Sequence, residues 1–182
     1  MIELRPAVVE DLPHLLKWVS SEEEMRVWSG PGFRWPLSAS QLPAYFEESR
    51  SGQRLLWSAV AMKDGALVGH ASLALKAESA IGRLGRVLVD PARRGEGLGR
   101  ALVTSAVTAG FVQTRIDTMS LGVYRHNTAA HRLYESIGFL ATQTTIAATT
   151  VGDRSWDRIE MQLPRRSFVP TKCEARTVRD SG

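Results

Sequence analysis

The segment from Val87 to Gly99 constrains this chain more than any other part of it. Val87-Leu88-Val89 is a continuous apolar run, and it reads as the end of a strand over Ile81–Val89 buried on both faces. Asp90-Pro91 stops that strand, since proline cannot donate to a ladder. The polar, glycine-bearing stretch Ala92-Arg93-Arg94-Gly95-Glu96-Gly97 then leads into a helix over 98–110. Along it, Leu98, Ala101, Leu102, Ser105, Ala106 and Ala109 share one stripe of small and apolar side chains. Thr118–Tyr124 is the next strand, so the segment is a βαβ unit with a right-handed crossover. A strand-to-helix turn of this composition also suits an anion. Glycines let the backbone approach closely, free N–H groups point outward and the helix dipole attracts negative charge. Two nucleotide loops fail on spacing. A P-loop requires Lys-Ser/Thr where Arg100-Ala101 follows Gly99, and a dinucleotide fingerprint requires a glycine where Arg100 stands.

The flanking chain supplies the rest of a sheet. Ile2–Arg5 is a short strand closed by Pro6, and Val8, Leu12, Leu15, Leu16 and Val19 recur at helical spacing with Pro13 in the first turn. Residues 20–37 read as irregular, with Trp28 to Pro36 an aromatic loop punctuated by Gly and Pro. Ser38 is positioned to cap a helix through Ser49. Leu55–Met62 and Ala66–Leu75 are strands around the hairpin signal Asp64-Gly65. Asn127 caps a helix bearing Ala130, Leu133, Tyr134 and Ile137, and Gly138 stands where a C′ glycine belongs. Strands over 139–147 and 155–163 close the pattern as a hairpin.

Arg94, Gly97 and Gly99 occupy the specified positions of an R/Q-x-x-G-x-G/A loop, and in this the segment resembles the pyrophosphate loop of the GNAT superfamily of N-acetyltransferases. Val87-Leu88-Val89-Asp90-Pro91 is similar to that family's fourth strand. Asn127, Ala130, Leu133-Tyr134 and Gly138-Phe139 resemble its second motif. The resemblance spans about residues 2–163 and is tightest over 81–139. It implies an α/β fold, a single GNAT-like domain whose mixed sheet has a central βαβ unit, splayed parallel strands and flanking helices. It implies acetyl-CoA as the acetyl donor, with no metal, and an amine as the acceptor.

The resemblance also implies roles. Val87, Leu88 and Val89 pair with the pantetheine arm, and the backbone N–H of Leu88 polarises the thioester carbonyl. Backbone groups of Gly95, Glu96, Gly97, Leu98 and Gly99 hold the pyrophosphate, with Arg94 and Arg100 nearby. Asn127 contacts the pantetheine or orders the helix start. Tyr134 faces the sulfur as the general acid. Many relatives carry a glutamate on the fourth strand as a base, but Arg83 stands there, which leaves Glu24, Glu78 or a water chain as candidates. The chain after the first strand shapes the acceptor side in such enzymes, which points to Glu24, Trp28, Phe33 and Trp35. Aromatic faces and carboxylates suit a cationic ligand there. The resulting expectation is transfer to a primary amine by direct attack in a ternary complex, with a small-molecule or peptide α-amine preferred. The alternative is an acyl-CoA-binding regulator without turnover.

Charge and composition exclude other classes. The formal net charge is +4, and three of those charges come from Arg165, Arg166, Lys172, Arg176 and Arg179 set against Glu174 and Asp180. The remainder is nearly neutral, poor support for a nucleic-acid-binding face. Residues 1–164 are expected to form the domain and 165–182 a disordered basic tail. His126 and His131 lie about 140° apart round a helix, which argues against a shared metal. No apolar stretch approaches the roughly 18 residues of a membrane span. The start carries charge where a secretory signal would be apolar, and Cys173 is the only cysteine, so a cytoplasmic protein, monomer or homodimer, is expected.

Overall fold

A computed structural model describes residues 1–169. Its strands are β1 (Ile2–Pro6), β2 (Arg54–Ala61), β3 (Leu67–Ala74), β4 (Ile81–Val89), β5 (Thr118–Tyr124), β6 (Leu140–Val151) and β7 (Arg154–Pro164). Five helices intervene, α1 (Leu12–Trp18), α2 (Glu22–Ser29), α3 (Leu42–Arg50), α4 (Leu98–Gln113) and α5 (Thr128–Ile137). One sheet runs in the order β1-β2-β3-β4-β5-β7-β6. Only β4 and β5 are parallel, as a βαβ unit set between antiparallel hairpins requires.

The sheet separates two cores. On one face, buried residues of α4 such as Leu102, Val103, Ala106 and Val107 pack against Trp57, Leu73, Met119 and Met161, with α5 alongside. On the other face, α1, α2 and α3 close over Leu56 and Leu88 through Leu15, Met25, Trp28, Leu42 and Tyr45. Arg5, Asp11 and Ser58 tie β1 and α1 to β2, with Asp11 accepting from both Arg5 guanidinium nitrogens at 2.7 and 2.8 Å and from Ser58 at 2.6 Å.

Three local expectations need correction. Residues 20–37 contain a true helix, α2. Ser21 Oγ accepts from Glu24 N at 3.2 Å, three glutamates complement the first turn, and Gly30 ends the helix at φ +59°. Its sequence signal was the Ser-x-x-Glu pattern at Ser21–Glu24. Next, the 87–89 run is not buried on both faces: Leu88 is buried, but Val87 and Val89 are half-buried and line a cleft. Finally, the segment expected as tail starts with docked residues. Arg165 donates to the carbonyls of Phe111, Thr114 and Ile116 at 2.5–2.9 Å, which satisfies orphan acceptors at the end of α4. Phe168 packs on Phe111, with ring centroids 5.9 Å apart. Residues 170–182, Cys173 among them, lie outside the described residues.

The feature that positions the site is a failure of pairing. β4 and β5 share only the pairs Ile81–Thr118, Gly82–Met119 and Arg83–Ser120, and beyond these they part. Arg86 contributes by adopting φ +51° at a register shift between β3 and β4, a bulge that bends β4 away.

Candidate active site

The wedge between β4 and β5 holds a cavity of about 840 Å³ whose walls come from both faces of the sheet. On the α4/α5 face it is lined by Val87, Val89, Arg94, Gly99, Asn127, Leu133 and Tyr134. On the α2/α3 face its wall includes Trp28, Gly30, Arg54, Arg83, Arg86 and Glu160.

The first wall is mostly backbone. Gly95 and Gly97 hold φ of +86° and +77°, and no atom lies within 4 Å of where a side chain at either would begin. The first intrahelical bond of α4 runs from Ala101 N to Gly97 O at 3.2 Å, so the N–H groups of Leu98, Gly99 and Arg100 have no helical partner. They form an open, positively polarised end suited to an anion. One side chain expected near the pyrophosphate is placed elsewhere. The Arg100 guanidinium donates to Ser136 Oγ and O at 2.5 and 3.3 Å, tying α4 to α5, so only its amide remains at the cradle. The Glu96 carboxylate accepts from Arg93 Nε at 2.8 and 3.0 Å, so it braces the loop. Arg94 stays half-exposed at the cavity wall, 3.9 Å from Glu24 Oε1.

The exposed edge of β4 follows from register. Asp90 N bonds Val68 O at 3.0 Å, and His70 pairs with Leu88. Antiparallel alternation therefore turns the Leu88 N–H toward β3. The amides facing the wedge are those of Val87 and Val89, which corrects the expectation that the Leu88 N–H serves the reaction.

Helix α5 brings two further residues. Asn127 Oδ1 caps Ala130 N at 3.2 Å, and Gly138 ends the helix at φ +110°. Tyr134 lies half-buried against Phe139, with rings 5.9 Å apart, and its hydroxyl has no hydrogen-bond partner among the described residues. Burial pushes its pKa up to about 12, so the hydroxyl keeps its proton.

The second wall is built from arginines. Trp28 is buried, and its Nε1 donates to Arg86 O at 2.9 Å. Phe33 is stacked on Trp28 at 5.4 Å, so it supports the wall from behind. Trp35 is 41% exposed and lines no part of the cavity. Glu24 does not line it either, because its carboxylate accepts from Ser20 N and Oγ at 2.9 and 2.7 Å. Of the four acceptor residues expected, the structure brings only Trp28 to the cavity. Of the aromatic faces expected to receive a cationic ligand, that of Phe33 is taken by the protein's own Arg86, whose guanidinium lies 4.9 Å from its ring centre and 4.1 Å from that of Tyr45.

Sequence reasoning missed Glu160. This residue of β7 meets Arg83 at 2.8 and 3.2 Å, and Arg158 Nε lies 2.7 Å from its Oε1. Gly122, between them on β5, leaves the room, for a side chain there would begin 2.6 Å from Arg83 Nη2. Burial opposes the charge of Glu160, but the two guanidiniums outweigh it and hold its carboxyl below the usual carboxylate range. It is the only carboxylate lining the cavity among the described residues, and it is a weak base. Glu78, the other candidate base, is exposed in the connection between β3 and β4. No group of three or more His, Cys, Asp or Glu that could hold a metal gathers among the described residues.

Comparison with known proteins agrees with this geometry. The chain is 46% identical over 85 residues to a mycothiol acetyltransferase of Thermobispora bispora, a match covering 44% of this chain and 28% of that protein. The chain therefore spans less than a third of that relative's length. The fold is shared with a spermidine N-acetyltransferase of Vibrio cholerae, solved with CoA and spermine, at TM-score 0.80 and 17% identity over 91% of this chain and 96% of that one. It is also shared with a ribosomal-protein-alanine N-acetyltransferase of Brucella melitensis, at TM-score 0.71 and 24% identity over 88% and 98% of the two chains. Residues 22–139, from α2 through the βαβ unit and α5 to Phe139, match the model of one family. By that match, which covers more than half of its residues, the chain belongs to the acetyltransferase (GNAT) family.

Proposed function

We propose that this protein transfers the acetyl group of acetyl-CoA to a primary amine by direct attack in a ternary complex. The observation that carries this is the wedge itself, one cavity with an anion-suited helix start and a free strand edge on one side and a wall of side chains on the other. The fit to acetyl-CoA is one of donors: the amides of Leu98, Gly99 and Arg100 with Arg94 for a diphosphate, and those of Val87 and Val89 for a chain laid along β4. When bound, acetyl-CoA supplies an activated thioester.

The chain's own groups then do three things. The amide of Val87 or Val89 donates to the carbonyl oxygen as negative charge grows on it, a role worth about 10²–10³ in rate. Tyr134 donates a hydrogen bond toward the departing sulfur, and as the C–N bond forms and the C–S bond breaks the proton shed by the attacking nitrogen ends on the CoA thiolate. Full proton transfer from a phenol near 12 to a thiolate near 8.5 is uphill by ~3.5 units, about 5 kcal/mol, so Tyr134 acts as a donor and not as a full acid. Asn127 sets the start of the helix that carries Tyr134.

The acceptor must arrive deprotonated, and the cavity offers only the clamped Glu160. An α-amino group near 7.7–8.0 needs under ~1 unit of deprotonation at neutral pH, whereas lysine needs ~3 units, about 4 kcal/mol. An α-amine is therefore the favoured acceptor. A cytoplasmic setting belongs to the same reading: the chain has one cysteine, and no helix among the described residues is long and apolar enough to cross a membrane. The test is CoA release with acetyl-CoA and paired peptides, one with a free N-terminus and blocked lysine, the other reversed. Release with the free N-terminus, at least about tenfold faster, is expected. Preference for the lysine peptide sinks the α-amine assignment, and a thermal shift without turnover on any amine leaves an acyl-CoA-binding protein.

A further inference from the structure

We infer that the acceptor carries an anionic group, a carboxylate, beside its amine, and that Arg86 with its neighbouring arginines selects it. This rests on the acetyl-transfer reading and narrows it to a substrate class. On the α2/α3 side the cavity wall presents Arg54, Arg83, Arg86 and Arg158. Against these four guanidiniums stand two carboxylates: Glu160, which pairs with Arg83 and Arg158, and Glu48, which meets Arg54 at 2.6 Å. Two positive charges are left unmatched. Arg86 contributes directly to the excess, for among the described residues no carboxylate lies within 4.0 Å of it, and its Nη1 is buried without a hydrogen-bond partner. A guanidinium seated on Tyr45 and Phe33 and left uncompensated is a standing cost of burial that an incoming carboxylate relieves.

The same excess bears on the amine. Nearby positive charge disfavours the ammonium form and so lowers the amine's pKa. A site lined by arginines thus does part of the work for which the cavity holds no free carboxylate. A polyamine has the opposite charge requirement and meets repulsion here. The anionic group orients the molecule, and the amine is left to face the wedge between β4 and β5.

The test uses the full chain loaded with CoA, so that binding is read without turnover. Calorimetry compares a set of dipeptides with their C-terminal carboxamides, which keep the same amine, and with putrescine. The free carboxylates are expected to bind about tenfold or more tighter, and Arg86→Gln to bring that preference near unity while CoA affinity stays within about twofold. Arg158→Gln, at the edge of the cluster, provides a second variant should Arg86→Gln fail to fold, and should lower the preference in part. Equal or tighter binding of the carboxamides or putrescine overturns the inference, as does a preference that survives in both variants. Turnover with acetyl-CoA is measured separately. Acetylated putrescine without carboxylate preference sinks the anionic acceptor and keeps acetyl transfer, and carboxylate preference without turnover does the reverse.

Discussion

The two walls of the wedge are made in different ways. The α4/α5 wall presents backbone: the amides at the start of α4, the free edge of β4 and one phenol. Its parts lie within residues 87–134 and depend on glycines, a proline and caps acting over a few positions. The α2/α3 wall presents side chains assembled over long separations, such as Trp28 on Arg86 and Arg83 on Glu160, 58 and 77 residues apart. Backbone donors cannot be exchanged by mutation, so the first wall is suited to one fixed ligand. Side chains on a rigid frame are free to vary, so the second wall is where the acceptor is chosen.

If this division holds, damage to the first wall removes cofactor binding and chemistry, and damage to the second changes only the acceptor. The largest effect is expected from Gly97→Glu, which combines a strained φ of +77° with a carboxylate at the anion site. Acetyl-CoA affinity should fall more than about 10²-fold, as read by calorimetry, and a wild-type thermal shift at millimolar acetyl-CoA would remove the cradle assignment. Next is Tyr134→Phe, which should lower kcat on the order of 10²-fold and leave acetyl-CoA affinity within about twofold. Equal losses in both would mean that the hydroxyl only packs.

The second wall has its own signature in acid. Burial, with Arg86 adding to it, lowers the pKa of His70 to about 3, and its Nε2 lies 2.7 Å from Tyr45 OH. Because the folded state refuses the proton, its contribution is fully present above about pH 6.5 and is lost as pH falls toward 3. Between pH 6.5 and 4 this loss should be on the order of 3 kcal/mol. Denaturant unfolding across that range checks it, and a flat profile would show that His70 protonates without cost. At the far end of α4, away from the wedge, Arg165→Met should cost about 1–3 kcal/mol by stranding carbonyls, seen as a lower denaturant midpoint. The smallest effect belongs to Glu160→Gln. Losing its charge should shift acceptor KM by up to about tenfold and leave acetyl-CoA affinity unchanged, whereas a collapse of kcat would make Glu160 a base after all.

What the sequence determined by itself follows the same division. The strand end at Asp90-Pro91, the glycine turn, the Asn127 cap and the Gly138 stop are local devices, each effective within a few residues. They were legible because the physical chemistry of a cap or a turn needs no distant partner. Helix α2 was legible too, through Ser21–Glu24, but the Gly/Pro-rich stretch after it reads more strongly as loop. Only the tertiary structure decided that Leu88 turns its amide to β3, since that depends on the register with His70 and on the bulge at Arg86. It alone decided that the cage of Tyr45 and Phe33 holds the protein's own arginine. It alone set Glu160 against Arg83, an encounter that requires β7 to lie beside β5 and Gly122 to leave the space. Such contacts are fixed by strand register and packing summed over the whole sheet, and no short window of sequence contains both partners.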